Sequence, residues 1–189
     1  MSAGATLGTG VLAAGAHAGN RENDYYLPYS VSCLGGTMLF LALAALYGAQ
    51  SLEVAVAALR WHVTAVALAM PAAVWMFARI AQRPAERTEM LLLATGSVLV
   101  IVANAFAPAT LHFQSIAAAP PGTVVGGRAV VYAGHGGWIT AVYHAWNLFP
   151  IGLCLVNGLH IWRKRERALG AMAVLCATCL LYTSPSPRD

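Results

Sequence analysis

The chain has 189 residues, of which 59% are hydrophobic and only 10% are charged, and its formal net charge is +4. Because a soluble domain carries about 25% charged residues, this composition excludes an ordinary water-soluble enzyme and favours a surface that faces lipid. The positive charges cluster between apolar segments, which indicates an orientation in a membrane rather than nucleic-acid binding.

Six apolar segments follow in chain order, and a helix needs roughly 20 mostly apolar residues to cross a bilayer. The first, residues 2–19, fits a weak spanning helix or a cleaved signal peptide, although no basic residue precedes it. The next four are predicted to span at about 27–49, 61–80, 90–108 and 138–162. The sixth begins at Ala168 and is interrupted at Thr178. The sequence therefore predicts an all-α fold: a polytopic transmembrane helix bundle over residues 1–178, with five complete helices and a truncated sixth.

The last residues, 179–189, read CLLYTSPSPRD and resemble the translation of a transposase adapter used in sequencing libraries. This string interrupts an apolar run with an abrupt Ser-Pro-Ser-Pro sequence. We therefore expect residues 179–189 to be an artefact and the natural chain to continue past Thr178. A natural disordered tail is the alternative.

Basic residues alternate between the predicted loops. Loops one, three and five contain eight Lys and Arg residues: Arg21, Arg79, Arg83, Arg87, Arg163, Lys164, Arg165 and Arg167. Loops two and four contain only Arg60 and Arg128. Because cytoplasmic loops are enriched in Lys and Arg, loops one, three and five are predicted to be cytoplasmic and the N-terminus to lie outside.

Several histidines lie near the predicted outer face, namely His62, His112, His135 and His144. Ionisable groups at membrane depth are costly and are functional candidates, although a histidine at a helix end is more often an interfacial residue. Two alternatives stay open: a metal or ligand site near the outer face, and haem ligation by the pairs His62–His144 and His17–His160. We expect no metal and no cofactor.

Segment five contains most of the polar and aromatic residues. Trp138 and Trp162 lie at its two ends, where aromatic belts anchor helices. Tyr143, His144 and Asn147 follow a spacing that groups them on one side, which predicts hydrogen bonds to another helix or a small pocket.

Two prolines and one asparagine interrupt the apolar helices. Pro71 in segment three and Pro150 in segment five each remove one backbone hydrogen bond, and they are hinge candidates. Asn104 in segment four is expected to form a hydrogen bond between helices.

The long outer loop, about residues 109–137, is predicted to contain a small hairpin. Its strands are expected at 123–125 and 129–132, on either side of Gly126-Gly127. The loop is either a lid over the outer helix ends or a plain connector.

Motifs for catalysis are missing from the sequence: there is no phosphate-binding glycine loop, nucleophile elbow or metalloprotease helix. We therefore expect no enzymatic activity in this chain. No carboxylate lies inside an apolar segment, which disfavours a pump or transporter.

Four stretches stand out together: LRWHVTAVALAMPAAVWMFARIAQRP, VANAFAPATLHFQSI, the Gly-Gly-Trp start of segment five, and the basic sequence WRKRERALGAMAVL at its end. In order and spacing they resemble the N-terminal membrane sensor region of bacterial histidine kinases, diguanylate cyclases and PAS-containing signalling proteins. The resemblance covers about residues 10–178. Such input modules typically have seven helices and are followed by a cytoplasmic output domain.

The resemblance implies a sensory input module in the bacterial inner membrane. Its expected partners are the lipid bilayer, a small-molecule or membrane-borne signal, a cytoplasmic effector domain of the same protein and a second copy in a homodimer. The alternatives are a haem-binding membrane cytochrome and a small transporter subunit. The candidates for sensing the signal are Trp61, His62, His112, Trp138, Tyr143, His144 and Asn147.

Overall fold

A computed structural model of the chain describes residues 3–19, 26–83, 87–125 and 128–163. These residues form five helices: α1 (Ala3–Gly19), α2 (Tyr26–Tyr47), α3 (Leu52–Ile80), α4 (Arg87–Phe106) and α5 (Trp138–Arg163). Helices α2 to α5 are long and apolar enough to cross a membrane, whereas the 17-residue α1 is not one of these four. The predicted sixth segment and residues 179–189 lie outside the described residues.

Helix α3 is the centre of the bundle. It packs against α2, α4 and α5, while α1 packs against α2. Small residues allow the closest approach between α2 and α3, because a side chain at Gly35 would collide with Ala69. Helix α3 is therefore the helix that contacts the largest number of other helices in the described part of the bundle.

Helix α3 begins nine residues earlier than the apolar run predicts. Ser51 caps it, since the Ser51 hydroxyl accepts a hydrogen bond from the Val54 amide at 3.3 Å, and Glu53 lies in the first turn. The prediction that Arg60 lies in a loop was therefore wrong. With 29 residues, α3 rises about 43 Å, which exceeds the roughly 30 Å of a hydrocarbon core.

The other long helices begin and end close to the predicted positions. Pro71 lies within α3 and Pro150 within α5, and both helices continue through their prolines. The proposed hinge role of these two residues stays a prediction.

A two-part β-hairpin lies between α4 and α5. The inner pair, β2 (Val124–Val125) with β3 (Arg128–Ala129), confirms the predicted hairpin. An outer antiparallel pair, β1 (Ser115–Ala118) with β4 (Tyr132–His135), was not predicted and lengthens it. The fold is thus a mostly helical bundle with one β-hairpin. The sequence predicted an all-α fold in which the outer loop contained a smaller hairpin.

The bundle has two recognisable ends, which we name by what they contain. At the hairpin end α3 begins, α4 ends and α5 begins, next to the β-hairpin. At the basic end α3 ends, α4 begins and α5 ends, and the arginines Arg79, Arg83, Arg87 and Arg163 are found there.

Candidate functional site

Three histidines and a tyrosine from three separate elements meet at the hairpin end. His62 comes from α3, Tyr143 and His144 from α5, and His112 from the cap segment, which we define as residues 107–114 between α4 and β1. His62 Nδ1 and His112 Nε2 are 2.8 Å apart. The ring centre of His112 lies 5.7 Å from that of His144 and 5.2 Å from that of Tyr143. We call these four residues the histidine cluster.

The histidine cluster is largely buried, with His144 half-buried, and three of its ring nitrogens have no protein hydrogen-bond partner. His62, His112 and Tyr143 are 4%, 2% and 4% exposed. Within the cluster, His62 Nε2, His112 Nδ1 and His144 Nε2 are buried without a hydrogen-bond partner. Because buried polar atoms are nearly always paired, three unpaired nitrogens in one cluster mark a place where stability has been given up.

The number of protons on the two rings determines whether His62 and His112 can form a hydrogen bond. One of the two facing nitrogens must donate and the other must accept. If both rings are neutral, the two unpaired nitrogens of this pair are then one N–H group and one lone pair, whichever ring donates. The contact is lost when both rings become protonated, since two N–H groups then face each other.

The cap segment is held to the helices by a second set of contacts. The Arg60 guanidinium donates to the carbonyl oxygens of Ala107 and Ala109 at 3.0 and 2.9 Å. The Asn104 amide group donates to the Arg60 carbonyl at 3.0 Å, and its oxygen accepts from the Leu111 amide at 3.4 Å. These bonds confirm the predicted role of Asn104 as a link between helices, and they fix the cap segment where His112 can reach His62.

The hairpin continues directly from the cap segment. The Gln114 amide donates to the His135 carbonyl at 2.9 Å, and the Phe113 ring packs edge-on against Tyr132 at 6.2 Å between centres. Burial raises the pKa of Tyr132. The hairpin and the cap segment therefore form one continuous cover over this end of the bundle.

The surroundings of His112 oppose its protonation. Burial, followed by the nearby His62 and His144, lowers the pKa of His112 from 6.5 to about 3. The only described acidic residues are Glu53, exposed at the start of α3, and Glu89, at the basic end. Within the described part of the chain, no carboxylate is placed to stabilise a charge on this ring.

The structure brings some of the predicted candidates together and separates others. His62, His112, Tyr143 and His144 meet, and Asn147 interacts with the Tyr143 side chain one turn along α5. Trp61 and Trp138 are 60% and 71% exposed, and His135 is also exposed, so these three residues lie outside the cluster.

The metal and haem alternatives find no arranged site in the described residues. No three His, Cys, Asp or Glu side chains among them are placed to hold a metal ion. A haem between His62 and His144 would have to displace the His112 ring, which contacts both. His17 and His160 lie on α1 and α5, which pack against different helices.

A polar contact of another kind joins the helices at the basic end. Arg83, just after α3, pairs with Glu89 of α4 at 2.5 Å and donates to Asn157 of α5 at 3.3 Å. Asn157 is 1% exposed. Arg83 therefore links α3, α4 and α5 at the basic end, and α3 and α5 also contribute to the histidine cluster at the other end.

Sequence reasoning missed the structural roles of Arg60 and Arg83. Both were counted only as loop charges for orientation. The available signal was their position next to long apolar segments, where a charged side chain usually has a partner.

Comparison with known protein families, with characterised proteins and with solved structures finds no match to this chain. The residues of the site are therefore the basis for assigning a function.

Proposed function

We propose that the chain is the membrane-embedded sensory input module of a bacterial signal-transduction protein, with the hairpin end facing out of the inner membrane. The observation that supports this best is the histidine cluster, in which three elements contribute buried or half-buried rings and three ring nitrogens have no protein partner. A packed core designed only for stability would fill these positions with apolar residues. A cluster that sacrifices stability is typical of a site that has a second state.

The proposed mechanism uses α3 and α5 as connections between the two ends. His62 and His144 belong to the cluster, while Arg83 and Asn157 are joined at the basic end. A signal that binds one arrangement of the cluster more tightly would shift the bundle toward that arrangement. The shift would be read at the basic end by a cytoplasmic effector domain of the same protein, with a second copy of the chain as a further partner.

The first test is the gene itself. Recovering the natural gene and sequencing it beyond the codon for Thr178 is expected to reveal further helices and then a kinase, cyclase or PAS domain. A reading frame that stops at Asp189 as written would contradict both the artefact prediction and the proposed output domain.

The second test measures whether the two ends are coupled. Spin labels at Leu92→Cys and Leu159→Cys, both exposed near the basic end, would report the distance between α4 and α5. The background variant lacks the native cysteines, and the protein is held in lipid nanodiscs. Replacing His112 by Ala is expected to shift this distance distribution by about 2 Å, a typical interhelical displacement in switching proteins.

The matched control is Val98→Ala, which shortens an exposed side chain on α4 away from the cluster. This control is expected to leave the distance unchanged. If His112→Ala also leaves the distance unchanged, the two ends are not coupled and the sensory proposal fails.

A further inference from the structure

The contact between His62 and His112 links a helix to the cover above it. His62 is fixed within α3, whereas His112 belongs to the cap segment. The polar side-chain contacts of this segment with α3 run through His112 and through Arg60, which binds its first residues, and Leu111 adds apolar packing against Val63 of α3. Loss of the histidine contact would therefore remove the polar link to α3 from the later part of the cap segment, while Arg60 still anchors its start.

Every titratable group around this contact is basic or phenolic. Helix α3 contributes Arg60 and the His62 ring itself, and α5 contributes Tyr143 and His144. Strand β4 contributes Tyr132 and the exposed His135. Helix α4 contributes the neutral Asn104, and β1 contributes no titratable group. The nearest described carboxylate along α3 is Glu53, nine residues before His62 and so about 13 Å along the helix axis. Added protons would thus meet no compensating negative charge among the described residues.

We propose that this cluster is a proton-binding switch, in which protonation of the histidines releases the cap segment from α3 at the outer face of the membrane. The inference rests on the proposed sensory function and names its signal, which is acidity outside the cell. In the closed state burial keeps the rings neutral, and in the open state water solvates the imidazolium ions. Protons therefore bind the open state preferentially and shift the equilibrium toward it.

The size of the effect follows from linkage. The pKa of His112 is about 3 in the closed state, and an exposed histidine has a pKa of about 6.5. Lowering the pH from 7 to 5 then raises the ratio of open to closed protein by about 25-fold through His112 alone. His62 and His144 add to this response if they protonate in the same step.

The experiment is a pH titration of the full chain in nanodiscs with two readouts. Spin labels at Ser115→Cys and Val142→Cys, both exposed, report the distance between the hairpin and α5. Nitrogen-15 NMR of labelled histidines reports the protonation and tautomer of each ring. We expect the longer-distance population to grow about 25-fold relative to the shorter one between pH 7 and 5, together with protonation of His112.

Two variants separate the cluster from the rest of the chain. His112→Gln cannot titrate at this position, and we expect its response to pH to be at least fivefold smaller. His135→Gln removes an exposed histidine outside the cluster, and we expect the response of the unmodified chain. Should His112→Gln fail to fold, the NMR titration of the unmodified chain decides without any variant.

The outcomes distinguish this inference from the function on which it rests. An unchanged distance down to pH 4.5, or a His112 that protonates near pH 6.5 without cap movement, would overturn the proton switch. If His112→Ala still shifts the distance between Leu92 and Leu159, the sensory module stands and its signal is another one. If acid opens the cap segment but the Leu92–Leu159 distance stays fixed, the cluster binds protons without transmitting them, and the proposed function fails.

Discussion

The two ends of α3 are joined to their neighbours by opposite kinds of polar chemistry. At the hairpin end, histidine rings, a buried amide and the Arg60 guanidinium form contacts that involve no carboxylate, and three ring nitrogens have no protein partner. At the basic end, Arg83 forms an ion pair with Glu89 and donates a hydrogen bond to Asn157. The side chains of Arg83 and Glu89 are 26% and 20% exposed.

This difference means that the two ends respond to different perturbations. Burial away from any described carboxylate makes the hairpin end sensitive to protons and to the loss of any single hydrogen-bond partner, because no negative charge among the described residues compensates. A partly exposed ion pair is tolerant by comparison, since water replaces a lost partner. The hairpin end therefore depends on buried contacts without a nearby carboxylate, and the basic end depends on a partly exposed ion pair.

The largest expected effect comes from removing the amide that joins α4, α3 and the cap segment. Asn104→Leu leaves the Arg60 carbonyl and the Leu111 amide without this partner, which we expect to cost about 2–3 kcal/mol. Unfolding by SDS, followed by tryptophan fluorescence, would measure the loss. Val102→Leu, an exposed change on the same helix, is the control. Equal stability of the two variants would show that the cap segment is held in another way.

Acid is expected to weaken the hairpin end alone. Because the pKa of His112 in the folded protein, about 3, lies below its unfolded value of about 6.5, the stability from the neutral ring is complete above pH 6.5. It is lost as the pH falls from 6.5 toward 3, and the loss at pH 5 is about 2 kcal/mol. Hydrogen exchange of the amides of Leu111 and Phe113, corrected for intrinsic rates, would measure it.

Amides near Asn157 serve as the internal reference for this titration. Their protection is expected to stay constant over the same range, since the basic end contains no titrating histidine contact of this kind among the described residues. Parallel loss of protection at both ends would indicate general acid unfolding. The hairpin end would then be no more sensitive to acid than the basic end.

The smallest effect is expected at the basic end. Arg83→Gln breaks the ion pair with Glu89 and weakens the contact with Asn157, at a cost of about 1 kcal/mol. Arg83→Lys keeps the charge and is expected to recover about half of this stability, because Lys cannot make the two contacts with one planar group. Unfolding by SDS at two salt concentrations would measure both variants. A loss in Arg83→Gln as large as that in Asn104→Leu would break the comparison between the two ends.

Most of the helices could be predicted because a helix that can span a bilayer follows a simple rule of length and hydrophobicity. That rule located α2, α4 and α5 to within a few residues. It missed the first turns of α3, since the rule measures apolar content, and Glu53 and Arg60 interrupt the apolar run. The capping residue Ser51 followed by Glu53 was the local signal that marked the true beginning.

The hairpin shows a similar division. Gly126-Gly127 predicted the inner pair, because glycine pairs favour tight turns between strands. The outer pair was missed because Ser115–Ala118 reads SIAA, which has no alternation of apolar and polar residues. Its pairing with β4 depends on the path of the chain as a whole.

The site was predictable in its members but not in its geometry. Predicted topology placed His62, His112 and His144 near the same face, yet nothing in their spacing indicated that His112 would lie between the other two. That position depends on Arg60 and Asn104, which fold the cap segment inward. Trp61 and Trp138 were also predicted as candidates for the signal-sensing end, but their side chains are exposed outside the cluster.

If the helices cross a bilayer as we propose, the length of α3 makes the chain sensitive to the thickness of that bilayer. Arg60 and Arg79 lie 19 residues apart on this helix, which is about 28 Å along its axis and close to the thickness of a hydrocarbon core. In a thicker bilayer one of the two guanidinium groups would be drawn into the acyl region, and in a thinner one the helix would have to tilt. Arg60 also holds the cap segment, so lipid chain length would act directly on the cover of the histidine cluster.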